Sequence, residues 1–365
     1  MSLRLRRLRR LVQHVCFVVL MYGGRFGLRL GPALPCFSCP FVAGCGGHCY
    51  LMGLQGYIGF GLNAAALGSA WLLTSLGWLA VFIILTAVLG KAWCGWVCPF
   101  GLIQDWLTAL RRRLGLRERR ISPAAKKKLG LIKYGLVVYL AAVPPLITLG
   151  LLHEDFYLPF CNICPGKALL PLFAGETRYL AVNLNNQVTI AFSVALLTIT
   201  GLTLTGMFFK ERFFCLFCPM LALIHLLKPL TALRLIKKPG ACVGCGNCRR
   251  ACPMDIEEVR ERLAPDVQTD ECLDCGGCVE ACPSNSALAL KFMGRKLFAS
   301  SRAYAAGFVS SLIYSVRCAP PFQGLTAFLF HRSFVPFVRG ADSQRLSSEY
   351  ADHETPGNHE RILKK

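Results

Sequence analysis

The chain has 365 residues, a formal net charge of +21, 54 % hydrophobic residues and a mean hydropathy of +0.47. That is more apolar side chain than a soluble surface accommodates, so an ordinary soluble domain is excluded and most of the chain is expected in lipid. Lys and Arg cluster beside apolar spans instead of covering one soluble face, which excludes nucleic acid as the partner; twenty cysteines, mostly in tight pairs followed by Pro, point to metal ligation and not to a small secreted disulfide framework.

The stretch from Met1 to Arg10 is basic and leads into an apolar run, as a signal peptide does. No small-residue cleavage site follows and the run continues to Arg25 and Arg29, so a retained first helix is expected. Crossing a hydrocarbon core of roughly 30 Å takes about 20 helical residues, and four stretches qualify, over 11–30, 70–90, 130–152 and 188–209. Arg25 and Arg29 read as snorkelling heads at the interface. Arg4, Arg6, Arg7, Arg9 and Arg10 precede the first span, and Arg111, Arg112, Arg113, Arg117, Arg119, Arg120, Lys126, Lys127 and Lys128 follow the second. Both groups should face the cytoplasm, whereas the loop over 31–70, with no Lys or Arg, and that over 153–187, with only Lys167 and Arg178, should face outward.

The organisation expected is a polytopic α-helical membrane protein of about four spans with a small α+β dicluster ferredoxin-like domain. Residues 1–128 and 129–237 each form a helix pair with an outer and an inner Cys hook, repeated in parallel. Residues 238–292 form the ferredoxin-like domain, 293–339 an apolar segment lying on the membrane surface, and 340–365 a polar disordered tail. Both termini are expected in the cytoplasm.

The most specific pattern is Cys242-x2-Cys245-x2-Cys248-x3-Cys252-Pro253, repeated as Cys272-x2-Cys275-x2-Cys278-x3-Cys282-Pro283. In such doubled runs three thiolates of a [4Fe–4S] cubane come from one loop and the fourth from the other half. Cys242, Cys245, Cys248 and Cys282 should hold one cluster, and Cys272, Cys275, Cys278 and Cys252 the second. Zinc sites pair two hooks instead of running four cysteines at this spacing, and a reducing compartment disfavours disulfides. A second pattern joins Cys94-Gly-Trp-Val-Cys98-Pro99 to Cys215-Leu-Phe-Cys218-Pro219 at the inner ends of two spans, where four thiolates can hold a further cluster or another thiophilic metal. A third joins Cys36, Cys39, Cys161 and Cys164 in the outward loops, with Cys45, His48 and Cys49 as alternative ligands. There an oxidising compartment leaves local disulfides, Cys36 with Cys39 or Cys45 with Cys49, as an equal reading.

Helix pairs, inner Cys-Pro hooks and a trailing doubled run together resemble the membrane-bound iron–sulfur proteins that include the quinol dehydrogenase subunit of periplasmic nitrate reductase and the membrane core of the nitrous oxide reductase accessory protein. The resemblance covers roughly residues 70–290, and Cys-Gly-Trp-Val-Cys-Pro-Phe-Gly at 94–101 is its most specific membrane motif. It implies electron transfer from the quinone pool or cytoplasmic donors to a periplasmic redox partner, in a bacterial inner membrane, by a subunit of a larger oxidoreductase assembly and not a complete enzyme. The alternative is an assembly or maturation factor that reduces a metal or cofactor for a client. The chain has no Cys-x2-Cys-His for covalent haem and no flavin or nucleotide fingerprint. Gln13, His14, Gln104 and Asp105 are the polar residues at membrane depth that a quinone could meet. Trp71, Trp78, Trp93, Trp96 and Trp106 read as interface anchors.

Overall fold

A computed structural model describes residues 3–31, 33–39, 41–42, 44–61, 70–119, 121–152, 156, 158–284 and 287–299. The chain divides into Met1–Tyr304 and Ala305–Lys365. Most of the expected surface segment over 293–339, and all of the tail over 340–365, lie outside the described residues.

Helix α1 (Leu3–Tyr22) begins earlier than the expected first span and ends sooner. At Gly23 and Gly24 the helix gives way to a 3-10 turn closed by Gly27 at φ 77°. A Cβ on Gly24 would lie 2.5 Å from the Cys45 carbonyl oxygen, so the following loop folds back against the helix end. That return is fixed by Gly46 N–H donating to the Leu20 carbonyl at 2.9 Å. Residues 23–30 therefore turn back instead of extending a span.

Helices α2 (Tyr50–Gly61), α3 (Ala70–Leu89), α4 (Pro99–Arg113), α5 (Pro123–Thr148), α6 (Pro165–Leu169), α7 (Gln187–Phe209) and α8 (Pro219–Leu226) follow. The start of α5 is capped by Ser122, and α7 opens with a capping box in which Asn186 and Thr189 satisfy each other's backbone N–H groups. Among the described residues two helices, over Ala124–Ile147 and Gln187–Phe209, are long and apolar enough to cross a membrane. Leu131 and Val138 on α5 and Leu202 on α7 are exposed apolar residues, which suits a lipid-facing wall.

Strands β1 (Leu233–Lys237), β2 (Leu288–Phe292) and β3 (Arg295–Ala299) form an antiparallel sheet in that order, with Leu235 opposite Leu290 and Phe292 opposite Arg295. The sheet brackets the doubled Cys run and the short helices α9 (Asn247–Arg250), α10 (Glu258–Glu261) and α11 (Gly277–Ala281). The position between the first two cysteines of each run is left-handed, at φ 68° for Gly244 and 48° for Asp274. Aspartate is among the few non-glycine residues that accept this conformation.

A ring of lysines holds this segment to the helices. Lys133, fully buried on α5, meets Asp270 at 2.6 Å, and Lys126 meets Glu271 at 2.8 Å. Lys91 donates to the carbonyls of Thr269 and Asp270 at 2.6 and 3.1 Å, and Lys228 donates to the Gln268 carbonyl and pairs with Asp266. The acidic loop over 266–271 is thus clasped by four lysines, of which Lys91 and Lys133 are buried.

Candidate metal centres

Two small cavities lie in the ferredoxin-like segment. Cys242, Cys245, Cys248 and Cys282 line one. Cys272, Cys275, Cys278 and Cys252 line the other. A third cavity is lined by Cys94, Cys98, Cys215 and Cys218. Each hook there is a tight turn followed by Pro at the start of a helix: Trp93–Val97 is a π turn before Pro99 of α4, and Phe213–Leu216 a 3-10 turn before Pro219 of α8. A proline at the first helical position loses no backbone hydrogen bond, so the hook can bend sharply and still seed a helix.

The third cavity touches the second directly. Leu273 lines both. Trp96 donates its indole N–H to the Asp274 carbonyl at 3.1 Å. A Cβ on Gly95 would sit 2.4 Å from the Leu273 carbonyl oxygen and 3.3 Å from Cys275, so only glycine allows the ferredoxin loop to rest on the hook. Trp96, expected as an interface anchor, is instead a buried docking residue.

Polar residues fix the hooks. Gln104 accepts the Phe214 N–H at 3.1 Å and directs its amide NH2 to Cys215 Sγ at 3.6 Å. Arg212, 1 % exposed, forms a two-point pair with Asp105 at 2.9 and 2.7 Å and donates to the Cys94 carbonyl at 3.1 Å. Gln13 donates to Asp105 and to the Gly95 carbonyl. Burial alone would push the Asp105 carboxyl up, but Arg212, followed by Arg9, holds it below the usual carboxylate range. Three of the four polar residues considered for a quinone therefore brace the hooks. The fourth, His14, lies at the exposed edge beside Trp106, whose N–H points to it at 3.2 Å.

The outward-loop cysteines divide differently from the sequence expectation. Cys36 lines the inner-hook cavity and has Cys98, Cys49 and Cys94 as its electrostatic neighbours. Cys39 neighbours Cys164 and Cys161, and Cys49 neighbours Cys161, Cys164 and Cys39. Cys45 instead has Arg29 as its charged neighbour. Residues that sequence reasoning passed over are Arg212, whose place the sequence does not signal, and Gln55, which lies six residues after Cys49 just as Gln104 lies six after Cys98.

No disulfide joins the described cysteines. Among the described residues no three His, Cys, Asp or Glu side chains gather as a single ion requires. This holds for the doubled runs as it does for the hooks: the thiols ring a volume, which fits a cubane better than one tetrahedral ion. No carboxylate or imidazole lines the inner-hook cavity.

The 4Fe-4S binding domain family matches residues 71–117 and again 192–238, each taking in one inner hook. The 4Fe-4S dicluster domain family matches 234–283. The chain therefore carries 4Fe-4S binding domains of the ferredoxin type. It is similar to the ferredoxin-type protein NapH of Haemophilus influenzae, 43 % identical over 67 residues, which are 18 % of this chain and 21 % of NapH. Similar too are YccM of Escherichia coli, 26 % identical over 49 % of this chain and 45 % of its own, and NirI of Paracoccus denitrificans, 29 % over 56 % and 28 %. The chain thus spans less than half the length of each of these three relatives. No solved structure matches it.

Proposed function

We propose that this chain passes electrons between the quinone pool or cytoplasmic donors and a periplasmic redox partner, as a subunit of a larger assembly in a bacterial inner membrane. The observation that carries this reading is the seating of the Cys272–Cys278 loop on the Cys94–Cys98 hook, because it joins the ferredoxin-like segment to the membrane helices at a thiol-lined cavity.

In this reading Cys242, Cys245, Cys248 and Cys282 hold one [4Fe–4S] cluster, Cys272, Cys275, Cys278 and Cys252 a second, and Cys94, Cys98, Cys215 and Cys218 a third. Bound clusters would supply one-electron transfer at potentials set by hydrogen bonding and solvent access. The chain's own residues do the rest. Gly95 permits close approach, Trp96 fixes the loop's register, and Arg212 presents a buried positive charge beside thiolates that would otherwise repel one another. Gln104 orients Cys215 by directing its amide NH2 at the sulfur, as hydrogen-bond donors behind metal ligands do.

For the quinone arm, the cleft between α1 and α4 is lined by His14, Asp105 and Trp106 and reaches Cys275 and Gly277 at its inner wall. A quinone head entering there would meet a hydrogen-bonding rim next to the second ferredoxin run.

Anaerobic purification of the chain from its native membrane tests the reading. A catalytic partner that copurifies and turns over with quinol supports it, and a client that associates only while being loaded with metal or cofactor supports the maturation role instead. The orientation makes a separate prediction: reporter fusions at Gly115 and Gly294 are expected to read as internal and one at Gly175 as external. A reversed signal at any of the three would refute both termini being cytoplasmic.

A further inference from the structure

The loop cysteines are organised as a second copy of the inner-hook site. In the inner hooks Gln104 stands six residues after Cys98, accepts the Phe214 N–H and points its amide NH2 at Cys215 Sγ. In the loops Gln55 stands six residues after Cys49, accepts the Phe160 N–H at 2.9 Å and points its amide NH2 at Cys161 Sγ at 3.4 Å. Which end of each amide faces the sulfur is decided by the backbone N–H, which needs the oxygen. Both glutamines are 1 % exposed.

The surroundings repeat as well. Phe160-Cys161-x2-Cys164-Pro165 and Phe214-Cys215-x2-Cys218-Pro219 share one pattern, and each is a 3-10 turn followed by a helix that starts at the proline. The chain before Cys49 is drawn in by a bridge from Leu34 to Cys49 and by Cys49 N–H donating to the Ser38 carbonyl at 2.8 Å, which brings Cys39 beside Cys49. Cys39, Cys49, Cys161 and Cys164 are all buried. Phe37 lies between the two sites, its ring 6.3 Å from Phe160 on one side and 5.2 Å from Phe214 on the other.

We propose that Cys39, Cys49, Cys161 and Cys164 form a further [4Fe–4S] site, braced by Gln55 and adjoining the inner-hook site. The proposal rests on the reading of the inner hooks as a cluster site, because their likeness supplies the chemistry. It also argues against the local disulfides that the loop spacing allowed. Cys36 lines the inner-hook cavity whereas Cys39 neighbours Cys164 and Cys161. An amide N–H aimed at sulfur is a stronger interaction when that sulfur is an anionic ligand than when it is a neutral thiol.

The test uses the full chain purified in detergent without oxygen, with iron, acid-labile sulfide and zinc counted per chain. Four sites should give about sixteen irons, at four per cubane. Cys49→Ser with Cys161→Ser is expected to lower the count by about four, and Cys45→Ser to leave it at the parental value. Cys94→Ser with Cys215→Ser should remove about four others, so that loss in one pair without the other separates failure of this proposal from failure of the inner-hook reading. Gln55→Leu should keep its iron but make the midpoint potential of one centre more negative, because a hydrogen bond to sulfur is lost. A parental count near twelve, zinc in place of iron, or alkylation showing two disulfides among these four cysteines would overturn the proposal; these readings need no variant to fold.

Discussion

Replacing Cys94 and Cys215 together by serine is expected to remove about four irons per chain while leaving about eight in the ferredoxin-like segment. The two substitutions take one thiol from each hook of a cavity that the two hooks line together with Cys36. The doubled run keeps its own eight cysteines and its sheet, so its reduced-cluster electron paramagnetic signals should persist. Iron analysis and those spectra check both halves of the expectation. Unchanged iron and unchanged electron delivery would reduce the hooks to inert buried thiols, a common role for free cysteine.

The second large effect is on stability. Asp105→Ala is expected to destabilise the helix core by about 3–5 kcal/mol, because Arg212 is left buried with its charge uncompensated. Arg212 cannot shed that charge at any ordinary pH. The exposed side of the same region gives the contrast: Arg112→Ala, which removes a partner of Glu211 at a half-exposed position, should cost under about 1 kcal/mol. Thermal unfolding in a fixed detergent compares the two variants. The pH dependence has a definite sign. The folded Asp105 carboxyl titrates below its unfolded value, so its contribution is complete above about pH 4, the ordinary aspartate value, and is lost as pH falls below it. Equal losses in the two variants would show that the buried pair is not what holds the hooks.

The grouping of the cysteines was legible where short local motifs set it. The doubled run and the inner hooks could be read as sets of four, since each set comes from short local motifs. The loop set was harder. Cys36-x2-Cys39-Pro40 copies the form of the other hooks, yet Cys36 lines the inner-hook cavity while Cys39 neighbours Cys164 and Cys161. The chain around Cys39 is drawn toward Cys49 by the Leu34–Cys49 bridge and by the Cys49 N–H donating to the Ser38 carbonyl, which no side-chain pattern announces. The Cys-x5-Gln spacing was the available signal, and it is silent until one of the glutamines is seen facing a sulfur.

Basic residues carried two meanings at once. Lys126 and its neighbours read as topology signals, and nothing in their spacing shows that Lys126 and Lys133 would grip Glu271 and Asp270. Hydropathy likewise marks where apolar stretches lie but not where a glycine pair bends the chain, which is why the first expected span ran past Tyr22. Among the described residues, the expected spans over 130–152 and 188–209 contain helices long and apolar enough to cross.

Vesicles containing the purified chain, sorted so that the ferredoxin-like segment faces outward and loaded with ferricytochrome c, test the central claim most directly. Dithionite supplied outside donates electrons, and each enclosed cytochrome accepts one. The account predicts that enclosed cytochrome is reduced only when the chain is present, and that Cys94→Ser with Cys215→Ser stops this while the outward-facing centres still bleach. Enclosed cytochrome that stays oxidised although the parent chain's own centres are fully reduced would contradict it.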